Sequence, residues 1–159
     1  MAKSILFVCL GNICRSPAAE GIFLKKIKDL GIQDQFKVDS AGTGGWHVGS
    51  QADARMREAA KQRGVKINSL ARQINLGDLY DFDFILTMDN ANLRDVNSLA
   101  SDGKDQTRAL VQPLLTYSKN NRISEVPDPY YGGQNGFEEV LDIIDDAIEG
   151  FLEKFNSED

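Results

Sequence analysis

Apolar residues along this chain switch between two spacings, and the switches lay out an alternation of strands and helices. Within Ser4–Val8, the run Ile5-Leu6-Phe7-Val8 has the pattern of a short strand buried on both faces. Behind it, Ala19, Ile22, Phe23, Ile27 and Leu30 fall on one face of a helix over Pro17–Leu30. Ser16 suits its N-cap, Pro17 its first position and Gly31 its stop. Phe36-Lys37-Val38 alternates as a second short strand, with Asp39-Ser40-Ala41-Gly42 as its loop. Ala52–Arg63 reads as a helix closed by Gly64, Phe82–Leu86 as a third strand and Asn92–Leu99 as a helix. A fourth strand lies within Ala109–Leu115.

The clearest stripe is the last. Phe137, Val140, Leu141, Ile144, Ala147, Ile148, Phe151, Leu152 and Phe155 repeat at helical spacing, while Glu138, Glu139, Asp142, Asp145, Asp146, Glu149 and Glu153 lie mostly off the stripe. That is a core helix with a solvated acidic face. Strands alternating with helices imply an α/β fold, a parallel sheet with right-handed crossovers and helices on both faces. Ligands of such sheets sit beyond the carboxyl ends of the strands. There the pattern puts the residues after Val8, Ser40 and Asp89.

The stretch after the first strand carries the chemistry. Cys9-Leu10-Gly11-Asn12-Ile13-Cys14-Arg15-Ser16 sets a thiol and a guanidinium around a Gly-Asn turn, directly before a helix start. Loop amides and the helix dipole converge there into an anion cradle, formed by Leu10–Ser16. Arg15 adds a planar fork for two phosphate oxygens, and Gly11 and Asn12 are residue types that accept positive φ. The same field favours thiolate over thiol at Cys9, making it a nucleophile. A cation just before the N-cap opposes the helix dipole, and a bound anion would compensate it. In the last third, Asp128 sits in an extended, proline-punctuated loop, Ser124–Gly133, where it reads equally as a simple turn acid or as a carboxyl that gives a proton to a leaving oxygen and then activates water.

Composition narrows the setting. With 159 residues and no repeat, low-complexity tract or linker, the chain reads as one domain, 1–159. Its 42% apolar and 26% charged residues are those of a globular protein. A net charge of −6 argues against nucleic acid or an anionic membrane as the main partner, so phosphate must be held by local dipoles and one placed arginine. No segment approaches the roughly 20 apolar residues of a membrane span. No signal-peptide core precedes Gly11, which points to a reducing, cytoplasmic setting with free thiols. One histidine and a Cys-x4-Cys spacing do not make a usual metal ligand set, and no cofactor is expected.

The Cys-x5-Arg-Ser spacing resembles the signature of protein tyrosine phosphatases. Val8 before the nucleophile, a second thiol inside the loop and the position of the loop near residue 10 make the chain similar to the low-molecular-weight branch of that group. Asp39-Ser40-Ala41-Gly42-Thr43, Ala71-Arg72-Gln73, Thr87-Met88-Asp89 and Asp128-Pro129-Tyr130-Tyr131 match further stretches of that family. The resemblance implies a flavodoxin-like four-stranded sheet of order 2-1-3-4. It also implies a phosphocysteine intermediate on Cys9, with Cys9, Arg15 and Asp128 as the catalytic set. The resemblance assigns Asn12 and Ser40 a mutual hydrogen bond that shapes the loop. It gives Ser16 the role of stabilising the Cys9 thiolate, and Asp89 that of orienting Arg15.

Trp46, Tyr130 and Tyr131 are expected as pocket walls that select an aromatic ring. Substrates would then be phosphotyrosine-containing proteins or small aryl phosphates; nothing in the chain specifies a tyrosine kinase counterpart. Cys9 and Cys14 are expected to form a redox pair. His47, beside Trp46, competes as an acid-base group but matches no role in the family. One departure stands out: animal members carry a histidine where this chain has Ser69. Two other readings compete with this one. Arsenate reduction needs further cysteines downstream, and none follows Cys14. A phosphotyrosine-binding module without catalysis would not need nucleophile, arginine and acid together.

Overall fold

The computed structural model describes residues 2–102, 107–120, 123–131 and 135–157. Four strands, β1 (Lys3–Cys9), β2 (Phe36–Gly42), β3 (Phe84–Thr87) and β4 (Leu110–Pro113), form one sheet of order β2-β1-β3-β4. All three pairings are parallel, as the resemblance implied. The helices are α1 (Arg15–Asp29), α2 (Ala54–Lys61), α3 (Leu76–Asp81), α4 (Asn90–Asp102) and α5 (Gly136–Ser157).

β1 is buried from Ser4 to Cys9, and its alternation divides the interior. Ile5, Phe7 and Cys9 join a cluster with Phe23 of α1, Met56 of α2 and the stripe of α5. Leu6 and Val8 point the other way, to Leu79 of α3 and Val96 of α4. On the first side Phe23 contacts Phe7, Phe36 and Phe151 with ring centroids 5.8, 5.1 and 5.9 Å apart. These tilted and edge-on contacts fix how α1, and with it the loop before α1, sits on the sheet.

Several boundaries differ from the sequence reading. β2 runs on through Asp39-Ser40-Ala41-Gly42, because it pairs residue for residue with β1 as far as Cys9↔Gly42. The helix after the loop begins at Arg15, with Cys14 at the N-cap and no side-chain cap, so Ser16 is a first-turn residue and not the cap. α2 starts two residues later than expected because the Asp53 carboxylate accepts the Arg55 N–H and caps it. The sequence reading missed α3, a six-residue helix closed by a capping box between Asn75 and Asp78.

Candidate active site

β1 delivers Cys9 to the carboxyl edge of the sheet, and the chain curls through Leu10–Cys14 before α1 begins. The curl is held from outside. Thr43 N–H donates to the Cys9 carbonyl (2.9 Å), Gly44 to Leu10 (2.9 Å), Asp53 to Ile13 (2.8 Å) and Ala18 to Cys14 (3.1 Å). With those carbonyls occupied, the loop amides and the first turn of α1 remain for an anion. Asn12 takes the positive φ that the turn requires, 57°. Gly11 serves differently: a Cβ there would lie 3.0 Å from Cδ2 of His47, whose ring packs against the loop.

The Cys9 sulfur, 2% exposed, accepts the Asn12 N–H at 3.3 Å and lies 3.0 Å from Ser16 Oγ. Asn12 Nδ2 donates to the same hydroxyl oxygen at 2.7 Å. The hydroxyl proton then has two acceptors, the sulfur and the Ala41 carbonyl at 3.4 Å, and the shorter contact favours the sulfur. Asn12 Oδ1 accepts the Arg72 N–H (3.0 Å), tying the turn to the strand-like segment beyond β2. Two donors therefore converge on Cys9, and both are fixed by buried partners.

Ser40 corrects an expectation. Its hydroxyl donates to Glu20 Oε1 at 2.6 Å, so Asn12 is bonded to Ser16 and Arg72 and not to Ser40. Ser40 and Asn12 lie on different sides of the loop's support because β2 carries the Ser40 side chain toward α1. Burial pushes the Glu20 carboxyl up from its usual range, against hydrogen bonds from Ser40 and Ser69. Ser69 is thus a hydroxyl partner of a half-buried acid.

Arg15 is 4% exposed. Its Nη1 donates to Asp89 Oδ2 (2.7 Å) and to the Val126 carbonyl (3.1 Å). Nε and Nη2 make no bond among the described residues, and Arg15 lines the cavity over Cys9. Asp89 is the carboxylate that meets it. The other carboxylate oxygen of Asp89 accepts the Asn92 N–H at 2.8 Å, and Asn92 Oδ1 returns bonds to the Met88 and Asp89 amides. A reciprocal cap at the start of α4 therefore holds the carboxylate that holds the arginine.

Cys9, Leu10, Gly11, Ile13, Cys14, Arg15, Trp46, His47, Asp128 and Tyr130 line one cavity of roughly 180 Å³. Asp128 accepts the Tyr130 N–H (3.0 Å) within the turn Pro129–Tyr131. Trp46 is 72% exposed and lies flat over Gly44, where a Cβ would collide with its ring. The Tyr131 side chain and residues 132–134 lie outside the described residues. Cys14 is buried, and its thiol is pushed up to about 12, first by burial and then by the neighbouring Asp53. The sequence offered His47 only as a competing acid-base group and gave no role to Gly42, Asp53 or Arg72, yet all four touch the loop. Only the match of Ala71-Arg72-Gln73 hinted at the last.

A phosphate-sized anion site with a thiol at its base is one that several protein groups could share, and comparison with known proteins separates them. The profile of the low molecular weight phosphotyrosine protein phosphatases matches residues 4–159. The chain belongs to that family. The human low molecular weight phosphotyrosine protein phosphatase is 41% identical over 152 residues, covering 96% of this chain and 95% of its own. The crystal structure of YfkJ from Bacillus subtilis superposes with a TM-score of 0.89 at 40% identity, covering 99% of this chain and 97% of its own. DARP, a Drosophila arginine phosphatase, superposes with a TM-score of 0.92 at 38% identity over 98% and 99% of the two chains. This member of the low molecular weight phosphatases is accordingly a hydrolase of that family. Among the described residues, no helix is long and apolar enough to cross a membrane.

Proposed function

We propose that this phosphatase hydrolyses phosphotyrosine in proteins, and small aryl phosphates, through a phosphocysteine at Cys9. The observation that carries the reading is the Cys9 sulfur set between Asn12 N–H and Ser16 Oγ, in a cavity that Arg15 and Asp128 also line. Both donors stabilise a negative sulfur, which is the reactive form of the thiol.

In the first step the sulfur attacks phosphorus in line, forming the S–P bond as the bond to the aryl oxygen breaks. Asp128 gives its proton to that oxygen. Arg15 and the loop amides bind the three equatorial oxygens, where charge concentrates in the loose transition state. In the second step water attacks phosphorus, Asp128 takes the water proton, and the S–P bond breaks to release phosphate and restore the thiolate. Ser16, left hydrogen-bonded to the sulfur, stabilises it as a leaving group. Trp46 and Tyr130 supply aromatic walls for a tyrosyl ring. A cytoplasmic setting suits the mechanism, because Cys9 must remain reduced to turn over.

The similarity to an arginine phosphatase makes phosphoarginine the competing substrate, and the aromatic walls favour phosphotyrosine. The test is single-turnover hydrolysis of phosphotyrosine and phosphoarginine peptides by wild type and Cys9→Ser. Wild type should turn over the phosphotyrosine peptide faster and yield an acid-stable phosphoprotein on Cys9, and the variant should bind vanadate without turnover. Activity persisting in Cys9→Ser, or lost on adding EDTA, would falsify the mechanism. A phosphoarginine preference would overturn the substrate.

A further inference from the structure

A larger cavity than the one over Cys9 lies beside it. It is a groove of roughly 680 Å³ between α2, the start of α5 and the turn after Asp128. Ala59, Pro129 and Phe137 are buried and form its apolar base, while Ala54, Glu58 and Gln62 occupy the exposed face of α2 above it. Tyr130 lines this groove and the cavity over Cys9 alike, and so stands at the border of both.

The dividing wall is braced. The Arg55 guanidinium lies 4.9 Å from the Tyr130 ring centroid and 4.8 Å from that of Phe137. Asp53 holds it with bonds of 3.1 and 2.9 Å to Nε and Nη2. A cation between two aromatic faces and a carboxylate keeps the ring of Tyr130 in place without closing the groove.

The rim is acidic. Glu58 projects from α2, where a weak contact from Gln62 at 3.4 Å is its only side-chain hydrogen bond among the described residues. Glu138 faces it from α5 and shares Arg63 with Asp142. Of the groove's own charged lining, Arg55 is held by Asp53 and Glu138 by Arg63, which leaves Glu58 as the carboxylate without an ion pair among the described residues. An apolar base beneath an acidic rim fits one kind of side chain: a long aliphatic stem ending in a cation.

We infer that this groove is a substrate subsite for a lysine or arginine two residues from the phosphotyrosine. The inference rests on the phosphotyrosine reading above. In an extended peptide, side chains two positions apart point the same way and sit roughly 7 Å apart. With the phosphotyrosine in the cavity over Cys9, the second neighbour clears Tyr130 and enters the groove. Its stem covers Phe137 and Pro129, and its head meets Glu58.

The test uses alanine-based phosphotyrosine peptides carrying a single Lys, Ala or Glu at each position from −3 to +3, with para-nitrophenyl phosphate as the reference. That reference is too small to reach beyond Tyr130. At low salt, Lys at +2 or −2 should raise kcat/KM relative to the reference by roughly two- to tenfold over Ala, and Glu should lower it. High salt should shrink the difference. Glu58→Gln should abolish most of the preference, and Glu58→Lys should reverse it in favour of the Glu peptide. Both are ordinary substitutions on an exposed helix face. Equal kcat/KM for the three peptides at every position, or a Lys preference that survives Glu58→Lys, overturns the subsite while leaving the phosphatase reading intact. Absence of turnover of every phosphotyrosine peptide overturns both.

Discussion

The loop Leu10–Ser16 and the segment Val126–Tyr131 line the same cavity but are held in opposite ways. In the first, Asn12, Cys14, Arg15 and Ser16 are all buried, and four bonds from three parts of the chain, Ala18, Thr43-Gly44 and Asp53, clasp the backbone carbonyls of Cys9–Cys14. In the second, Val126 is fixed by its N–H to the Met88 carbonyl (2.8 Å) and by Arg15, but beyond it the chain emerges. Asp128 is half-buried and Tyr130 is 56% exposed; one backbone-to-carboxylate bond joins them, and beyond it only the exposed Arg55 leans on the Tyr130 ring among the described residues. The contrast follows from what each part does in the proposed reaction. Transition-state charge is stabilised best by dipoles already in place, so the anion loop is over-determined. The acid must meet a departing group, then a water, and let product out, so it stands on a short, open turn.

The comparison is broken most severely at Asp128. Asp128→Ala should lower kcat by about 10²–10⁴ for alkyl or phenyl phosphates, and much less for a nitrophenyl phosphate whose leaving group needs little protonation. Asp128→Asn keeps an oxygen for the Tyr130 N–H but carries no transferable proton, so it should behave like the alanine variant. The fall in rate on the alkaline side of the wild-type pH profile should flatten in both. Equal losses across leaving groups of widely different basicity would remove Asp128 from proton transfer and leave it as a shape-keeping residue.

The anion loop is tested from behind, at Gly42. A Cβ on this residue would lie 2.8 Å from the Leu10 carbonyl oxygen and 3.1 Å from the Asn12 nitrogen. Gly42 itself cannot retreat, since its N–H donates to the Arg72 carbonyl and its own carbonyl accepts Ile74, each at 2.8 Å. Gly42→Ala must therefore displace the loop. A shift of a few tenths of an ångström in a site that works by alignment should cost kcat up to about 10²-fold while the sheet remains folded. Phosphate or vanadate affinity should fall with it. Wild-type turnover in a folded Gly42→Ala protein would show that the loop is less rigid than its bonds imply.

How much of this could be read from the chain depends on how far apart the partners lie. Cys9, Arg15 and Ser16 sit within one turn and its helix start, so their spacing alone outlines an anion cradle. β1 and α5 announce themselves because a buried run and a nine-residue stripe have no other use. Asp89 reached Arg15 only through the family likeness, since nothing local links residues 15 and 89. The role of the Val126 carbonyl was invisible, because a backbone acceptor leaves no signature in sequence. The Ser40 partner was misassigned: a likeness carries residue types, whereas the rotamer that sends Ser40 to Glu20 depends on α1 packing over β2. α3 was overlooked because six residues hold too little periodicity, although Asn75-x-x-Asp78 was there as a capping signal. Ser16 was given to the helix cap on residue type and to the Cys9 thiolate only through the family likeness; its hydroxyl lies 3.0 Å from that sulfur.

The smallest effect on turnover is expected at Cys14, and it separates backbone geometry from side-chain chemistry within the loop. Cys14→Ala should change kcat by less than about threefold, because the side chain gives no proton or hydrogen bond to the reacting groups. The difference should appear after peroxide. Peroxide oxidises Cys9 by two electrons to a sulfenic acid; the Cys14 thiolate can attack that sulfur, forming the disulfide as hydroxide leaves and takes up a proton as water. Burial pushes the Cys14 thiol up to about 12, so near neutral pH it is held as the unreactive thiol. The thiolate fraction, and with it the crosslinking rate, should rise about tenfold per pH unit well below that value. Wild type treated with peroxide at pH 8 should therefore form the Cys9–Cys14 crosslink faster than at pH 7, and dithiothreitol should restore activity. Cys14→Ala should instead proceed to sulfinic acid at both pH values and recover poorly. Mass spectrometry of unreduced peptides reads the crosslink directly. A crosslinking rate independent of pH, or full recovery of Cys14→Ala with dithiothreitol, would reduce Cys14 to a buried packing residue in a loop whose geometry its backbone alone maintains.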